Sequence, residues 1–123
     1  MDKLDAIFER QEAFNAQLRA ARKLSYSSGE WIQKETLAML SELSELLDEV
    51  NFKWWKNDVP INDDNVKDEL VDVLHFFVSM CLDAGMDAED LHRRYLAKNQ
   101  ENFDRQSGKS QKKGYEQAGD SKM

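Results

Sequence analysis

Two apolar stripes at helical spacing constrain this chain more than any other feature. Leu43, Leu46, Leu47 and Val50 form one, and Leu70, Val73, Leu74 and Phe77 form the other. Apolar residues recurring every three or four positions mark helices that bury one side. Beside each stripe stand two carboxylates three residues apart, Glu42 with Glu45 and Glu69 with Asp72. Such pairs lie on one side of a helix, with Cβ atoms about 5–6 Å apart, so each presents its oxygens to one small space. Each stripe is the natural partner of the other, and packing them predicts four carboxylates together at the edge of a core. Like charges so placed repel unless protons or hard cations intervene. Mg²⁺ takes oxygen ligands of this kind and commonly bridges to substrate phosphates.

The bulk properties agree with a single small helical domain. With 123 residues, 41% hydrophobic and 33% charged, the chain has a thin core, and self-association is a way to bury more surface. A formal charge of -7 argues against a nucleic-acid backbone or an anionic membrane as the main partner. Cys81 is the only cysteine, which excludes an intrachain disulfide and predicts a cytoplasmic protein. Met1 to Asp5 lacks the apolar core of a signal peptide, and nothing approaches the roughly 20 apolar residues of a membrane span.

Read in order, the spacing predicts a first helix over about residues 2–24, with Leu4, Ile7, Phe8, Phe14 and Leu18 on one side. Gln11 and Asn15 interrupt that stripe, either as edge residues meeting water or as amides aimed into a pocket. Ser27 to Glu30 has capping-box spacing and opens a second helix running from about Glu30 into the Trp54 region. Phe52, Trp54 and Trp55 are readable as core or interface anchors, or as a face on which a base stacks. After a polar loop with the only proline, Asp63 or Asp64 caps a third helix over about Val66 to Asp83. That helix is apolar on nearly every side after Val71, which predicts burial all round, as at the centre of a bundle or dimer. Within it His75 reads as a hydrogen-bonded core residue or a ligand contact, and Cys81 as a small hydrophobe.

Gly85 ends the third helix, and Asp87 with Asp90 has capping-box spacing for a fourth, over about Ala88 to Gln106, with Leu91, Tyr95 and Leu96 facing inward. Lys98, Asn102 and Arg105 share one face of it, either as a solvated stripe or as an anion-binding group. The expected domain covers residues 1–106. Residues 107–123 form a polar, mobile tail in which Gly114 and Tyr115 are placed to close over a ligand.

The combination Glu42-x-x-Glu45 followed by Glu69-x-x-Asp72 resembles the signature of the all-α nucleoside triphosphate pyrophosphohydrolases, the MazG-like and dimeric dUTPase group. Phe52-Lys53-Trp54-Trp55, the His75-Phe76 that follows the second acidic pair, the Lys98/Asn102/Arg105 spacing and Gly114-Tyr115 resemble the dimeric dUTPase branch. The similarity runs from about residue 35 to 115. It implies a four-to-five-helix bundle assembled as a homodimer or higher homo-oligomer, and Mg²⁺-dependent cleavage of dUTP to dUMP and pyrophosphate, with Mn²⁺ as a possible substitute. By the same resemblance Glu42, Glu45, Glu69 and Asp72 hold the metal, and Glu45 also orients or deprotonates the attacking water. Lys98, Asn102, Arg105 and Tyr115 hold the phosphates, Trp54 and Phe76 flank the base, Gln11 and Asn15 read its polar edge, and His75 lies near sugar or base.

Two other functions fit the same residues. Gly85 to Asp87 joins the metal helix to the phosphate stripe more briefly than in typical dimeric dUTPases, which leaves room for a MazG-like house-cleaning enzyme acting on other or modified dNTPs. A non-catalytic helical interaction module would leave the acidic faces merely solvated.

Overall fold

The computed structural model describes residues 1–117. Its regular elements are four helices: α1 (Lys3–Ala21), α2 (Ser28–Glu49), α3 (Asp63–Asp83) and α4 (Ala88–Ser107). Among the described residues there is no strand, so the expected all-α class holds. No described helix is long and apolar enough to cross a membrane. The chain forms two compact units, one over Met1–Asp87 and one from Ala88 onward.

In the first unit α2 packs against α3, and α1 lies against α3 with a smaller contact. Local chemistry fixes the ends. Asp2 and Asp5 form a capping box at the start of α1, the Asp5 N–H donating to Asp2 Oδ1 at 2.8 Å. Ser27 and Glu30 do the same for α2, the Glu30 N–H donating to Ser27 Oγ at 3.2 Å and the Ser27 N–H to Glu30 Oε1 at 3.4 Å. These reciprocal bonds satisfy donors that a helix start otherwise strands. At the end of α3 the Met86 N–H reaches Cys81 O at 2.9 Å and the Gly85 N–H reaches Leu82 O at 3.0 Å. This double closure requires a left-handed residue, and Gly85 supplies it at φ +82°. Lys23 takes the same left-handed place after α1, at φ +56°.

Two expected boundaries differ. The second helix stops at Glu49, short of the tryptophans, because Asn51 turns left-handed at φ +57°. The Asn51 side chain then clamps the loop, donating to Val59 O at 2.8 Å and accepting from the Val59 N–H at 3.0 Å. The third helix starts at Asp63 with Asn62 as its cap, one residue before Asp63 and two before Asp64, its side chain accepting from the Asn65 N–H at 3.1 Å.

The core is thin, with Phe8, Val78 and Cys81 as the buried apolar residues of this unit. Within the single chain α3 is enclosed only in part: Val78, Ser79 and Cys81 are buried, while Leu70, Val71, Leu74 and Phe77 stay accessible. Helices α1 and α2 cover one side of α3 and leave the other flank uncovered.

In the second unit, the stretch expected to be mobile folds back on α4 as far as Gln117. The Lys109 and Ser110 N–H groups donate to Asp104 O at 2.8 and 3.1 Å, and the Gln117 N–H donates to Gln106 O at 3.0 Å. The rest of the expected tail, 118–123, lies outside the described residues. Tyr95 and Leu96, expected to face inward, are exposed.

Candidate metal centre and adjoining cavity

Because α2 and α3 pair, their acidic turns meet. One carboxylate oxygen from each of Glu42, Glu69 and Asp72 lies within 4.8 Å of the others. Glu45, one turn after Glu42 and more exposed, is close enough to act on both glutamates. Burial pushes the Glu42 carboxyl up, and Glu45, Asp72 and Glu69 push it further, to about 7. Burial likewise raises Glu69, with Glu45 and Asp72 adding to it. Glu42 Oε2 and Glu69 Oε2 are both buried and have no hydrogen-bond donor. Buried oxygens without a donor are costly, and a divalent cation would relieve both this and the mutual repulsion. Hard oxygen donors converging at this spacing are what Mg²⁺ or Mn²⁺ coordinates.

A cavity of about 780 Å³ opens from Glu42 and Asp72 into the space between the three helices. Asp72, His75, Phe76 and Ser79 line it from α3, at positions i, i+3, i+4 and i+7. From α1 come Gln11 and Asn15, flanked by the apolar side chains of Ile7, Phe14 and Leu18. The α1 stripe thus faces this cavity as much as the core: Phe8 is buried, whereas Ile7, Phe14 and Leu18 are accessible. Helix α2 adds Trp31 and Glu35 at the far end from the carboxylates.

That far end is closed by an ionic knot. Arg19 donates from Nη1 and Nη2 to the two oxygens of Asp83, at 3.0 and 2.9 Å, and from Nη2 to Glu35 Oε2 at 3.2 Å. Its guanidinium carbon sits 3.7 Å from the centre of the Trp31 ring, a cation–π contact. Burial, followed by the neighbouring Asp83, raises the Glu35 pKa to about 8. At neutral pH the protonated form of Glu35 is therefore favoured. Burial opposes the charge on Asp83, but Arg19 and the Glu35 proton outweigh it and hold its pKa low.

The residues singled out in the sequence therefore divide into groups. Glu42, Asp72, Gln11, Asn15, His75 and Phe76 all line the one cavity. Glu69 joins at its acidic edge, with Glu45 beside it. His75 is an exposed cavity-wall residue, not a core one. Trp54 does not line this cavity: it is 85% exposed and packs edge-on against Trp55, ring centres 4.6 Å apart. In the second unit Lys98, Asn102 and Arg105 follow one face of α4. Arg105 lies over the Tyr115 ring at 5.2 Å and 3.6 Å from Glu101 Oε1. Arg19, Trp31, Glu35, Ser79 and Asp83 had not been singled out, since they belong to no local motif.

The family described as dUTPase matches residues 3–87, the extent of the first compact unit. The chain belongs to this family. Its members are all-α and dimeric-dUTPase-like, within the wider nucleoside triphosphate pyrophosphohydrolase group. Among curated relatives, a protein named dCTP pyrophosphatase from Enterobacteria phage T4 is 46% identical over 41 residues, covering 33% of this chain and 24% of the relative. A dCTP pyrophosphatase from Enterobacteria phage LZ5 is 35% identical over 74 residues, covering 60% of this chain and 43% of the relative. The chain thus spans less than half the length of either relative. No solved structure matches it significantly.

Proposed function

We propose that this protein is a Mg²⁺-dependent nucleoside triphosphate pyrophosphohydrolase that converts dUTP and water to dUMP and pyrophosphate. The observation that carries the reading is the convergence of Glu42, Glu69 and Asp72 oxygens within 4.8 Å, beside Glu45 and at the mouth of a nucleotide-sized cavity. The four carboxylates would hold the metal. A divalent ion held by them would supply charge neutralisation at the phosphates and a lowered pKa for a bound water. Glu45 then orients the attacking water and takes its proton, a role that suits the more exposed member of the cluster. Phe76 and the α1 apolar side chains exclude water around the base, and Gln11 and Asn15 offer it hydrogen bonds. Trp54 is assigned to the base on the family resemblance. Lys98, Asn102, Arg105 and Tyr115 are proposed as an anion-binding group of the second unit.

A second reading is favoured by the phage relatives, both named dCTP pyrophosphatase: dCTP as the substrate, or as a co-substrate. Pyrophosphate release from dUTP, dCTP, dTTP and dATP, with and without Mg²⁺, tests both. Turnover of the pyrimidine nucleotides, dUTP and dCTP foremost, with little on dATP and only with Mg²⁺, is expected. Equal rates on all four would instead favour a broad house-cleaning enzyme. Glu45→Gln should lower turnover by at least about 100-fold without loss of helicity, and wild-type turnover in that variant would remove Glu45 from the mechanism. A non-catalytic module predicts no rise in melting temperature with Mg²⁺ plus nucleotide, whereas a true site gains stability by linkage.

A further inference from the structure

The cavity wall opposite the carboxylates carries a hydrogen-bond chain whose direction can reverse. Gln11 Nε2 donates to Asn15 Oδ1 at 3.0 Å, and Asn15 Nδ2 donates to Ser79 Oγ at 3.1 Å. Ser79 is 3% exposed and stands seven residues beyond Asp72 on α3, roughly 10 Å along the helix axis. That is about the span from the phosphates of a nucleotide to the polar edge of its base. With phosphates at the carboxylates, the base edge falls beside this chain.

A hydroxyl donates or accepts according to its rotation, and an amide exchanges its oxygen and nitrogen by a half turn. Ser79 Oγ also lies 3.4 Å from Asn15 Oδ1, within reach to donate. Turning both amides and the hydroxyl therefore gives a second chain, in which Ser79 donates to Asn15 and Asn15 donates to Gln11 Oε1. The two chains contain the same bonds and differ in what Gln11 has left for the cavity. In the first it offers its carbonyl oxygen, in the second its N–H groups.

We propose, resting on the nucleotide reading above, that Ser79 is the pivot that lets one site accept both 4-amino and 4-oxo pyrimidine nucleoside triphosphates. A cytosine edge carries a donor at its 4-position where uracil, like thymine, carries an acceptor. Gln11 reverses to match either, and neither alignment leaves Asn15 or Ser79 unpartnered. Ser79 touches no substrate atom in this scheme; it is a positioning residue acting through Asn15.

Two substitutions freeze the chain in opposite senses. In Asn15→Asp both side-chain oxygens only accept, so Gln11 must donate inward and offers the cavity a carbonyl. Ser79→Ala deletes one atom and leaves the inner end of Asn15 without a partner. Unpaired buried N–H groups are rarer than under-satisfied carbonyls. Asn15 then turns its carbonyl inward and its amide nitrogen toward Gln11, which offers N–H to the cavity.

The test measures kcat and KM for dCTP and dUTP with the full chain. The wild type is expected to discriminate between them by no more than about 10-fold. The dCTP-to-dUTP ratio of kcat/KM should move about 10-fold in opposite directions in the two variants, the effect of one mismatched hydrogen bond. The change should lie in KM, and Ser79→Thr, which keeps the hydroxyl, should restore the wild-type ratio. Ratios that stay at the wild-type value, or move the same way in both variants, would overturn the pivot, as would a wild type preferring one nucleotide by more than about 100-fold. Absence of turnover of either nucleotide by the wild type would overturn the nucleotide reading and the pivot together, which separates the two failures.

Discussion

Glu35 illustrates how far a single buried residue can depart from its ordinary chemistry. Its side chain is 9% exposed, it shares Arg19 with Asp83, and that one cation balances only one of the two acids. Its folded pKa, about 8, stands above the ordinary carboxyl value of 4.5. A pKa raised on folding contributes stability that is complete below the unfolded value and is lost as pH rises through the folded one. The melting temperature should therefore fall as pH climbs from about 5 toward 8 and level off above it. Asp83, with its lowered pKa, acts in the opposite sense and only at acid pH. Gln at position 35 resembles the protonated acid, able to donate to Asp83 and accept from Arg19. Glu35→Gln should thus keep its stability at pH 7 and lose the alkaline slope, measured by thermal melts across that range. An unchanged slope would mean that the proton resides elsewhere.

Among the elements, α2 joins the best-specified start to the least predictable end. Ser27 and Glu30 close its first turn reciprocally, and Ser27→Ala should cost about 1 kcal/mol, read from urea unfolding. That box was legible because its signal is local, and so was Gly85 at the end of α3. The end of α2 was not: Phe52 to Trp55 prolongs the hydrophobic run, while the backbone leaves the helix at Asn51 to make two bonds with Val59. The acidic pairs of the candidate site were legible because each sits within four residues of one helix. The knot beside them was hidden, since Arg19 and Asp83 are 64 positions apart and meet only through the docking of α1 on α3. Asn15 and Ser79 are equally distant. Sequence periodicity marks the faces of a helix but not which residue of another helix arrives there.

At the scale of the molecule, the acidic edge and the uncovered leucines are carried by the same two helices. Leu37, Leu40 and Leu47 on α2 and Leu70 and Leu74 on α3 are all exposed, more apolar surface than a small monomer usually leaves bare. A second copy is the proposed cover, in keeping with the family. Light scattering at micromolar concentration should give the mass of two chains, and Leu40→Glu should shift it toward one; a wild-type monomer would contradict this. The Arg19 knot has a further consequence for how such a chain could be shortened. Trimming away the leading helix would strand the Asp83 carboxylate beside Glu35 without Arg19, the cation that pairs with both. A descendant that dispensed with α1 would first have to neutralise position 83, so the order of those evolutionary steps is set by electrostatics.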